Sequence, residues 1–239
     1  EYFQPEVGLA ALEVLTRIGC RVFILPVIGA GRTLISKGFI DPARRHARHV
    51  LQAIDRLDPG GKLPVIGVEP SEIYTLRDEY LDLLPDEERA RQLANLAYMV
   101  DEYLVRLGKG DMPRVLRIVR SGQTRRVKVY LHGHCYQKTQ PPAADGFPNG
   151  VRATAKMLES VGYEVSVIDS SCCGMAGAFG YEANHFDLSM KIGELSLFPA
   201  LRSAIEQDAE ALIAAAGVSC QTQIEDGTGK KPVHPIMLV

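Results

Sequence analysis

Hydrophobic residues follow two alternating patterns along the chain, short apolar runs and longer amphipathic stretches. Five short runs rich in β-branched residues predict buried strands: 21–27, 63–70, 127–134, 164–171 and 211–219. Between them, apolar residues recur at helical spacing and predict amphipathic helices: 6–18, 71–84, 86–107, 150–161 and 182–206. This alternation predicts an α/β fold with a largely parallel sheet.

The pattern also repeats within the chain. A shift of 143 positions aligns residues 12–32 with residues 155–175, so that Gly31 lies opposite Gly174. Each aligned segment has the order helix, glycine, strand and glycine-rich turn. Self-similarity of this kind predicts two tandem, similar α/β units, which we expect to be related by a pseudo-twofold axis.

A weaker match supports the same division. A shift of 148 positions aligns residues 66–75 with residues 215–224, again at a strand that leads into a helix. We therefore predict a first unit at 1–120 and a second at 121–239, with the boundary in the basic, polar connector 119–126. By the same alignment, the first unit lacks its opening strand. We expect the chain to be a fragment of a larger protein.

The composition argues against a nucleic-acid-binding, membrane-spanning or secreted protein. The 239 residues are 46% hydrophobic and carry a formal charge of −2, a balance that gives no indication of a nucleic-acid partner. No apolar run is long enough to span a bilayer, and the first residues lack the layout of a signal peptide. The odd count of five cysteines favours a reducing compartment. We expect a cytoplasmic protein and leave open its association with the inner face of the membrane.

Four of the cysteines follow predicted strands: Cys135, Cys172, Cys173 and Cys220. The carboxyl ends of parallel strands lie along one edge of a sheet, where ligands usually bind. We therefore expect these four thiols to converge there. The fifth, Cys20, lies opposite Tyr163 in the repeat alignment and is interpreted as a buried apolar residue.

The segment that carries the adjacent cysteines is rich in glycine. It reads SSCCGMAGAFG, with glycines at 174, 177 and 180. Glycines permit tight turns and close backbone approach, which leaves room for a bulky inorganic ligand. They also let backbone N–H groups reach its sulfur atoms. The segment predicts a binding site for a metal or an inorganic cluster.

These motifs resemble a known family. HGHCYQK, CCGMAGAFGYE and SCQTQIEDGTGKKPVHP, in that order, are similar to the cysteine-rich CCG domain. That domain occurs in the CCG-containing subunit of heterodisulfide reductase, in the iron–sulfur subunit of glycolate oxidase and in FAD/iron–sulfur D-lactate-type dehydrogenases. The first half also resembles a CCG unit, through GRTLISKGFID and VEPSEIYTLRDEY, so the resemblance covers nearly the whole chain.

The resemblance implies an electron carrier. Its iron–sulfur cluster would pass electrons from a FAD-dependent dehydrogenase subunit or domain to a later acceptor. By position, the cluster ligands would be the four cysteines at the strand ends. The family's terminal Cys-x-x-Cys is incomplete here, because Gln223 occupies the last position. Four thiolates are the usual ligand set of a [4Fe–4S] cluster. In the first unit, GAG replaces CCG and Glu72 replaces a cysteine, so we expect no metal there.

Zinc is the alternative metal, because it binds Cys and His tetrahedrally and His132 or His134 could replace one thiolate. If the strand continued through Cys135, His134 would point to the opposite side from that cysteine. We interpret both histidines, together with Tyr181 and His185, as candidates for groups that surround the ligands.

Three functions remain open. The first is an electron-transfer module of a FAD-dependent 2-hydroxyacid dehydrogenase of lactate or glycolate type, an oxidoreductase component that is not catalytic alone. The second is a thiol or disulfide reductase subunit of the heterodisulfide reductase type. The third is a zinc-stabilised structural or interaction domain.

Overall fold

The computed structural model describes residues 4–26, 28–109 and 127–239. The chain divides into two compact units, Glu1–Val100 and Asp101–Val239. The predicted connector at 119–126 lies outside the described residues. The division at residue 120 therefore stays a prediction.

Unit 1 consists mainly of helices and a two-stranded parallel sheet. Its strands are β1 (Val65–Gly67) and β2 (Ala97–Met99), with Ile66 paired to Tyr98. Its helices are α1 (Pro5–Arg17), α2 (Arg32–Ser36), α3 (Ile40–Leu57), α4 (Pro70–Arg77), α5 (Glu79–Leu83) and α6 (Glu88–Leu96).

Two predicted elements of unit 1 are wrong. Residues 21–26 form no strand, and Phe23 and Ile24 are 47% and 71% exposed. A strand needs a neighbour to satisfy its backbone, and none of the described strands pairs with this segment. The single helix predicted over 86–107 is interrupted by β2, because residues 97–99 are held by parallel pairing to β1.

Unit 2 begins within helix α7 (Val100–Leu107) and contains a three-stranded parallel sheet. The strands are β3 (Lys128–His132), β4 (Glu164–Val167) and β5 (Leu212–Ala215), in the order β4-β3-β5. The remaining helices are α8 (Cys135–Lys138), α9 (Gly150–Ser160), α10 (Phe186–Glu194), α11 (Leu197–Gln207) and α12 (Val218–Thr228). Parallel strands alternating with helices confirm the α/β class.

The register of this sheet aligns the strand ends. Tyr130 in the central strand pairs with Ser166 on one side and with Ile213 on the other. All three strands therefore end at the same edge, and the segments that follow them meet there. Beneath this edge lies an apolar core formed by Tyr130, Ile168, Cys173, Met175, Leu197, Phe198, Leu201, Ala204, Ile213, Ala215, Cys220 and Ile224.

The aligned glycines have matching backbone conformations. Gly31 and Gly174, the second-last residues of the aligned segments, have φ angles of 83° and 101°. Gly19 and Gly162, which follow α1 and α9, have φ angles of 88° and 100°. Gly19 and Gly162 end helices in the left-handed conformation, whereas Gly31 precedes α2 and Gly174 lies in the turn after β4. The aligned glycines thus share a left-handed conformation, whereas the tandem repeat and the pseudo-twofold relation of the two units stay predictions.

Candidate metal centre

The structure places all four candidate cysteines after the carboxyl ends of the three parallel strands. Cys135 follows β3 and is the first residue of α8. Cys172 and Cys173 lie in the turn after β4, and Cys220 lies in the first turn of α12, after β5. This is the edge at which α/β proteins bind ligands.

Two of these thiols are buried and in contact. Cys173 and Cys220 are 5% and 2% exposed, and their sulfur atoms are 3.5 Å apart. The hydrogen bond with Cys172 lowers the pKa of Cys173, but the one with Cys220 and burial outweigh it and raise the pKa to about 12. The Cys173 thiol is therefore held protonated at neutral pH in the metal-free protein, and metal binding has to release its proton.

The other two thiols lie closer to solvent. The pKa of Cys172 is raised well above its usual range by the hydrogen bond with Cys173 and then by burial. Cys135 is exposed as a residue, yet its thiol is partly screened from water, which raises its pKa, as does Cys172. Cys172 thus acts on Cys135 through charge, since both follow strands that end at the same edge.

The turn after β4 directs backbone N–H groups at the sulfurs. The N–H of Gly174 donates to Cys172 Sγ over 3.3 Å. The backbone N–H groups of Ala176 and Met175 act on the pKa values of Cys172 and Cys173, respectively, and lower them in part. Successive N–H groups aimed at one point form an anion-binding concavity, which suits thiolates and inorganic sulfide.

Gly174 is required by this geometry. A Cβ placed on it would lie 2.2 Å from the carbonyl oxygen of Ser189, and its φ of 101° is unfavourable for other residues. The close backbone approach expected of this glycine is present, and its N–H reaches the sulfur of Cys172; N–H contacts to the sulfur atoms of a bound ligand stay a prediction. Gly180 also allows close approach, because a Cβ there would lie 2.4 Å from the Ser189 hydroxyl oxygen.

Lys138 connects the first cysteine segment to the second, a contact that the sequence pattern did not predict. Its Nζ donates to the carbonyl oxygens of Ser170 and Ser171 over 2.5 and 3.3 Å, just before the adjacent cysteines. Lys138 also interacts electrostatically with Cys220, Cys135 and Cys172. The sequence feature that could have indicated this contact is the position of Lys138 one helical turn after Cys135. The lysine therefore places a positive charge beside the sulfurs.

The two histidines near β3 have different surroundings. His132 is 1% exposed, its Nδ1 lies 3.1 Å from the Ser170 hydroxyl, and its Nε2 has no hydrogen-bond partner among the described residues. Burial lowers its pKa to about 3, with further lowering by Lys138 and His134. The condition under which His134 would point away from Cys135 is not met. The strand ends at His132, and the His134 Nδ1 lies 3.7 Å from Cys135 Sγ.

Tyr181 and His185 lie beyond the turn that carries the adjacent cysteines. Tyr181 is 55% exposed and donates to the Thr222 hydroxyl over 3.0 Å, two residues after Cys220. The His185 ring stacks on Phe179 at 4.1 Å between centroids. Tyr181 thus contacts the helix that carries a candidate ligand, whereas His185 packs on the turn.

Gln223, at the position of the family's last cysteine, has a structural contact. Its Nε2 donates to the carbonyl and hydroxyl oxygens of Ser189 over 2.9 and 3.0 Å. The same nitrogen would lie 3.0 Å from a Cβ on Gly174. The amide therefore packs beside the glycine turn and bonds the helix that carries Ser189.

The donor set fits a metal that prefers sulfur. Four thiols at one sheet edge, with N–H groups directed at two of them, suit an iron–sulfur cluster or zinc. Within the described ranges, no three Cys, His, Asp or Glu side chains are placed as ligands of one metal ion. The side chains, chiefly that of exposed Cys135, would adjust on metal binding.

Comparison with known proteins finds relatives that are named as dehydrogenases or for lactate utilization. The chain is 28% identical to a subunit of the anaerobic glycerol-3-phosphate dehydrogenase of Escherichia coli K12 over 240 positions. It is 27% identical to D-2-hydroxyglutarate dehydrogenase of the same strain over 237 residues. It is also 27% identical to lactate utilization protein A of Shouchella clausii over 187 residues. The similarity supports a role as an oxidoreductase component, as the sequence predicted.

Coverage differs among these relatives. The alignments include 100%, 98% and 75% of the chain and 55%, 21% and 70% of the respective relatives. The chain thus spans about half the length of the glycerol-3-phosphate dehydrogenase subunit and a fifth of the hydroxyglutarate enzyme. No family model matches the chain. Among the helices of the described residues, none is both long and apolar enough to cross a membrane.

Proposed function

We propose that Cys135, Cys172, Cys173 and Cys220 bind a [4Fe–4S] cluster. The observation that carries the proposal is the contact between the Cys173 and Cys220 sulfurs, 3.5 Å apart. This contact lies at the sheet edge that the other two cysteines also reach. A bound cluster would accept and release single electrons.

The protein's own groups determine how well that edge accommodates negative charge. The backbone N–H of Gly174 donates to Cys172 Sγ, and the N–H groups of Met175 and Ala176 favour the thiolate forms of Cys173 and Cys172. Lys138 adds a positive charge and ties α8 to the turn. Hydrogen bonds to sulfur and nearby charge are the main means by which a protein tunes an iron–sulfur centre. The first unit, in which Glu72 replaces a cysteine, binds no cluster in this proposal.

At the level of the whole enzyme, the chain is the electron-carrying component of a FAD-dependent dehydrogenase of 2-hydroxyacids such as lactate or glycolate. Support comes from the relative named for D-2-hydroxyglutarate, itself a 2-hydroxyacid, and from the relative named for lactate utilization. Oxidising a hydroxy acid removes a hydride, which requires a flavin or nicotinamide beside a base. The flavin therefore belongs to a partner subunit or to a further part of a longer polypeptide.

The first experiment tests the ligands. Anaerobic reconstitution with iron and sulfide is followed by iron, sulfide and zinc analysis and by the absorption spectrum. We expect about four irons and four sulfides per chain. Cys172→Ser and Cys173→Ser should each abolish the cluster, while Cys20→Ser should keep it. Equal loss in all three variants, or zinc without sulfide, would contradict the assignment.

A second experiment tests whether this chain only transfers electrons while a flavin elsewhere oxidises the hydroxy acid. The reconstituted chain, free of flavin, is given lactate or glycolate with an artificial electron acceptor, and separately a chemically reduced flavin. We expect reduction of the cluster by the reduced flavin and no oxidation of either acid. Turnover of a hydroxy acid by this chain alone would refute the carrier role.

A further inference from the structure

A chain of buried polar groups connects helix α7 to the turn that presents Cys135. Asp101 in α7 accepts a hydrogen bond from the Thr154 hydroxyl in α9. The Gln137 amide nitrogen in α8 donates to the same hydroxyl oxygen over 3.0 Å. The Gln137 amide oxygen in turn accepts the backbone N–H of His134 over 3.1 Å. Three helices are thereby joined behind the first candidate ligand.

The last link is the start of helix α8 itself. His134 is the residue before the helix, and its Nδ1 accepts the N–H of Tyr136 over 3.2 Å. With the contact from Gln137, this forms a reciprocal capping box around Cys135. The helix has only four residues, so its own hydrogen bonds cannot fix its position. Its orientation therefore depends on the side chains that brace it.

The side chains of this polar network are withdrawn from solvent. Asp101, Thr154 and Gln137 are 2%, 0% and 3% exposed. Burial, followed by the neighbouring charge of Glu102, raises the pKa of Asp101 to about 7. A buried polar group is costly unless its hydrogen bonds are made, so breaking one link leaves its neighbours unsatisfied. The connected set has one well-defined arrangement.

The neighbouring acid has a separate contact. Glu102 is also buried, and its Oε1 accepts the N–H of Gly150 over 2.9 Å at the start of α9. This carboxylate therefore holds the backbone of the helix, whereas the contacts of Asp101 lead through Thr154 to the cysteine turn. Both acids therefore contact α9, Glu102 at its backbone and Asp101 at the Thr154 hydroxyl.

We propose that Asp101 is a positioning residue for the candidate metal centre. Through Thr154 and Gln137, it fixes the turn that presents the thiol of Cys135. The consequence for a cluster rests on the proposed function, but the positioning of the thiol does not, because it concerns the metal-free chain. Partners behind metal ligands commonly change metal affinity by about 10–100-fold when they are removed.

The test compares Asp101→Asn and Thr154→Val with Thr75→Val in unit 1. Thr75 is a matched control, since it is fully buried and its hydroxyl donates to the Ser71 carbonyl over 2.7 Å. The intact, metal-free chains are treated with iodoacetamide, and the alkylation rate of each cysteine is read by peptide mass spectrometry. Because Thr154→Val removes only one hydroxyl, it keeps the test valid if Asp101→Asn does not fold.

We expect the alkylation rate of Cys135 to increase about fivefold in both Asp101→Asn and Thr154→Val. This is the change that corresponds to the loss of one buried hydrogen bond of ordinary strength. The rates of Cys173 and Cys220 should stay unchanged, as should all rates in Thr75→Val. If all cysteines became faster together, the network would only stabilise the fold and the proposal would be wrong. An unchanged rate at Cys135 would overturn it as well.

The same variants are then reconstituted with iron and sulfide, and cluster release to a chelator is followed by absorbance. We expect release about tenfold faster than from the unsubstituted chain. If the unsubstituted chain takes up no iron and sulfide, the proposed function fails, while the alkylation rates still decide the positioning role. Faster alkylation with unchanged cluster release would refute the role of the network in cluster binding.

Discussion

Replacing Gly174 by alanine tests the geometry of the cysteine turn. This glycine has a φ of 101°, and an added Cβ would lie 2.2 Å from the Ser189 carbonyl oxygen and 3.0 Å from the Gln223 amide nitrogen. The nearer contact is with backbone, which cannot rotate away as a side chain can. The alanine variant therefore has to displace α10 or the turn itself.

Gly177, three residues later, supplies a matched control. It also has a positive φ, 68°, but a Cβ on it would meet no atom within 4 Å. Alanine in such a left-handed conformation costs about 1 kcal/mol. At position 174 the backbone strain of about 1–3 kcal/mol is joined by overpacking of about 1–3 kcal/mol. We expect Gly174→Ala to lower the free energy of unfolding by about 3 kcal/mol more than Gly177→Ala.

The measurement is urea unfolding of the metal-free chains, followed by circular dichroism, together with cluster content after reconstitution. Gly174→Ala should also lose the N–H contact to Cys172 and hold little cluster, whereas Gly177→Ala should retain it. Equal unfolding free energies and equal cluster content in the two variants would refute the structural reasoning.

Three further predictions concern the surroundings of the site and unit 1. The pKa of His132 is lowered to about 3, so its neutral ring is fully compatible with folding above the unfolded pKa of about 6.5, and keeping the ring neutral destabilises the fold progressively as the pH falls toward 3. Between pH 7 and pH 4, the free energy of unfolding should therefore decrease by about 3 kcal/mol less in His132→Asn than in the unsubstituted chain, as measured by urea unfolding. Glu72→Ala removes the acceptor for the Ala30 N–H and should destabilise unit 1 by about 1–3 kcal/mol; unchanged unfolding would contradict this role. Lys138→Met keeps the aliphatic stem but loses the bonds to the carbonyl of Ser170, so cluster release to a chelator should be about tenfold faster; an unchanged rate would show that the lysine does not brace the turn.

The sequence predicted the elements that depend on local pattern. The runs around β3, β4 and β5 are β-branched or apolar and end before the cysteines, so the expected parallel sheet indicated a common edge, which the structure has. The run at 21–27 has the same pattern but forms no strand over its described residues, because strand formation depends on a neighbour. Residues 97–99 have a helical pattern but form a strand, because β1 is available as a neighbour for pairing.

The polar contacts around the site could not be predicted in this way. Lys138 reaches the turn before Cys172, and Asp101 reaches α8 through Thr154, across contacts between residues far apart in the chain. Such contacts depend on side-chain geometry, which periodicity does not contain. The positions of the glycines were more informative about the site than the polar residues were. The sequence alone shows that Gly174 has no Cβ, and the structure shows that a Cβ there would clash.

The burial of Cys173 and Cys220 within the apolar core has a consequence for biogenesis. In a zinc finger the metal supplies the folding free energy, so the peptide without metal is unfolded. Here the two thiols already pack among leucine, phenylalanine and isoleucine side chains, as small apolar residues do. The packing of unit 2 around these two thiols therefore does not depend on metal ligation. If the proposed cluster binds here, it would be inserted after this part of the unit has folded, from the side of exposed Cys135.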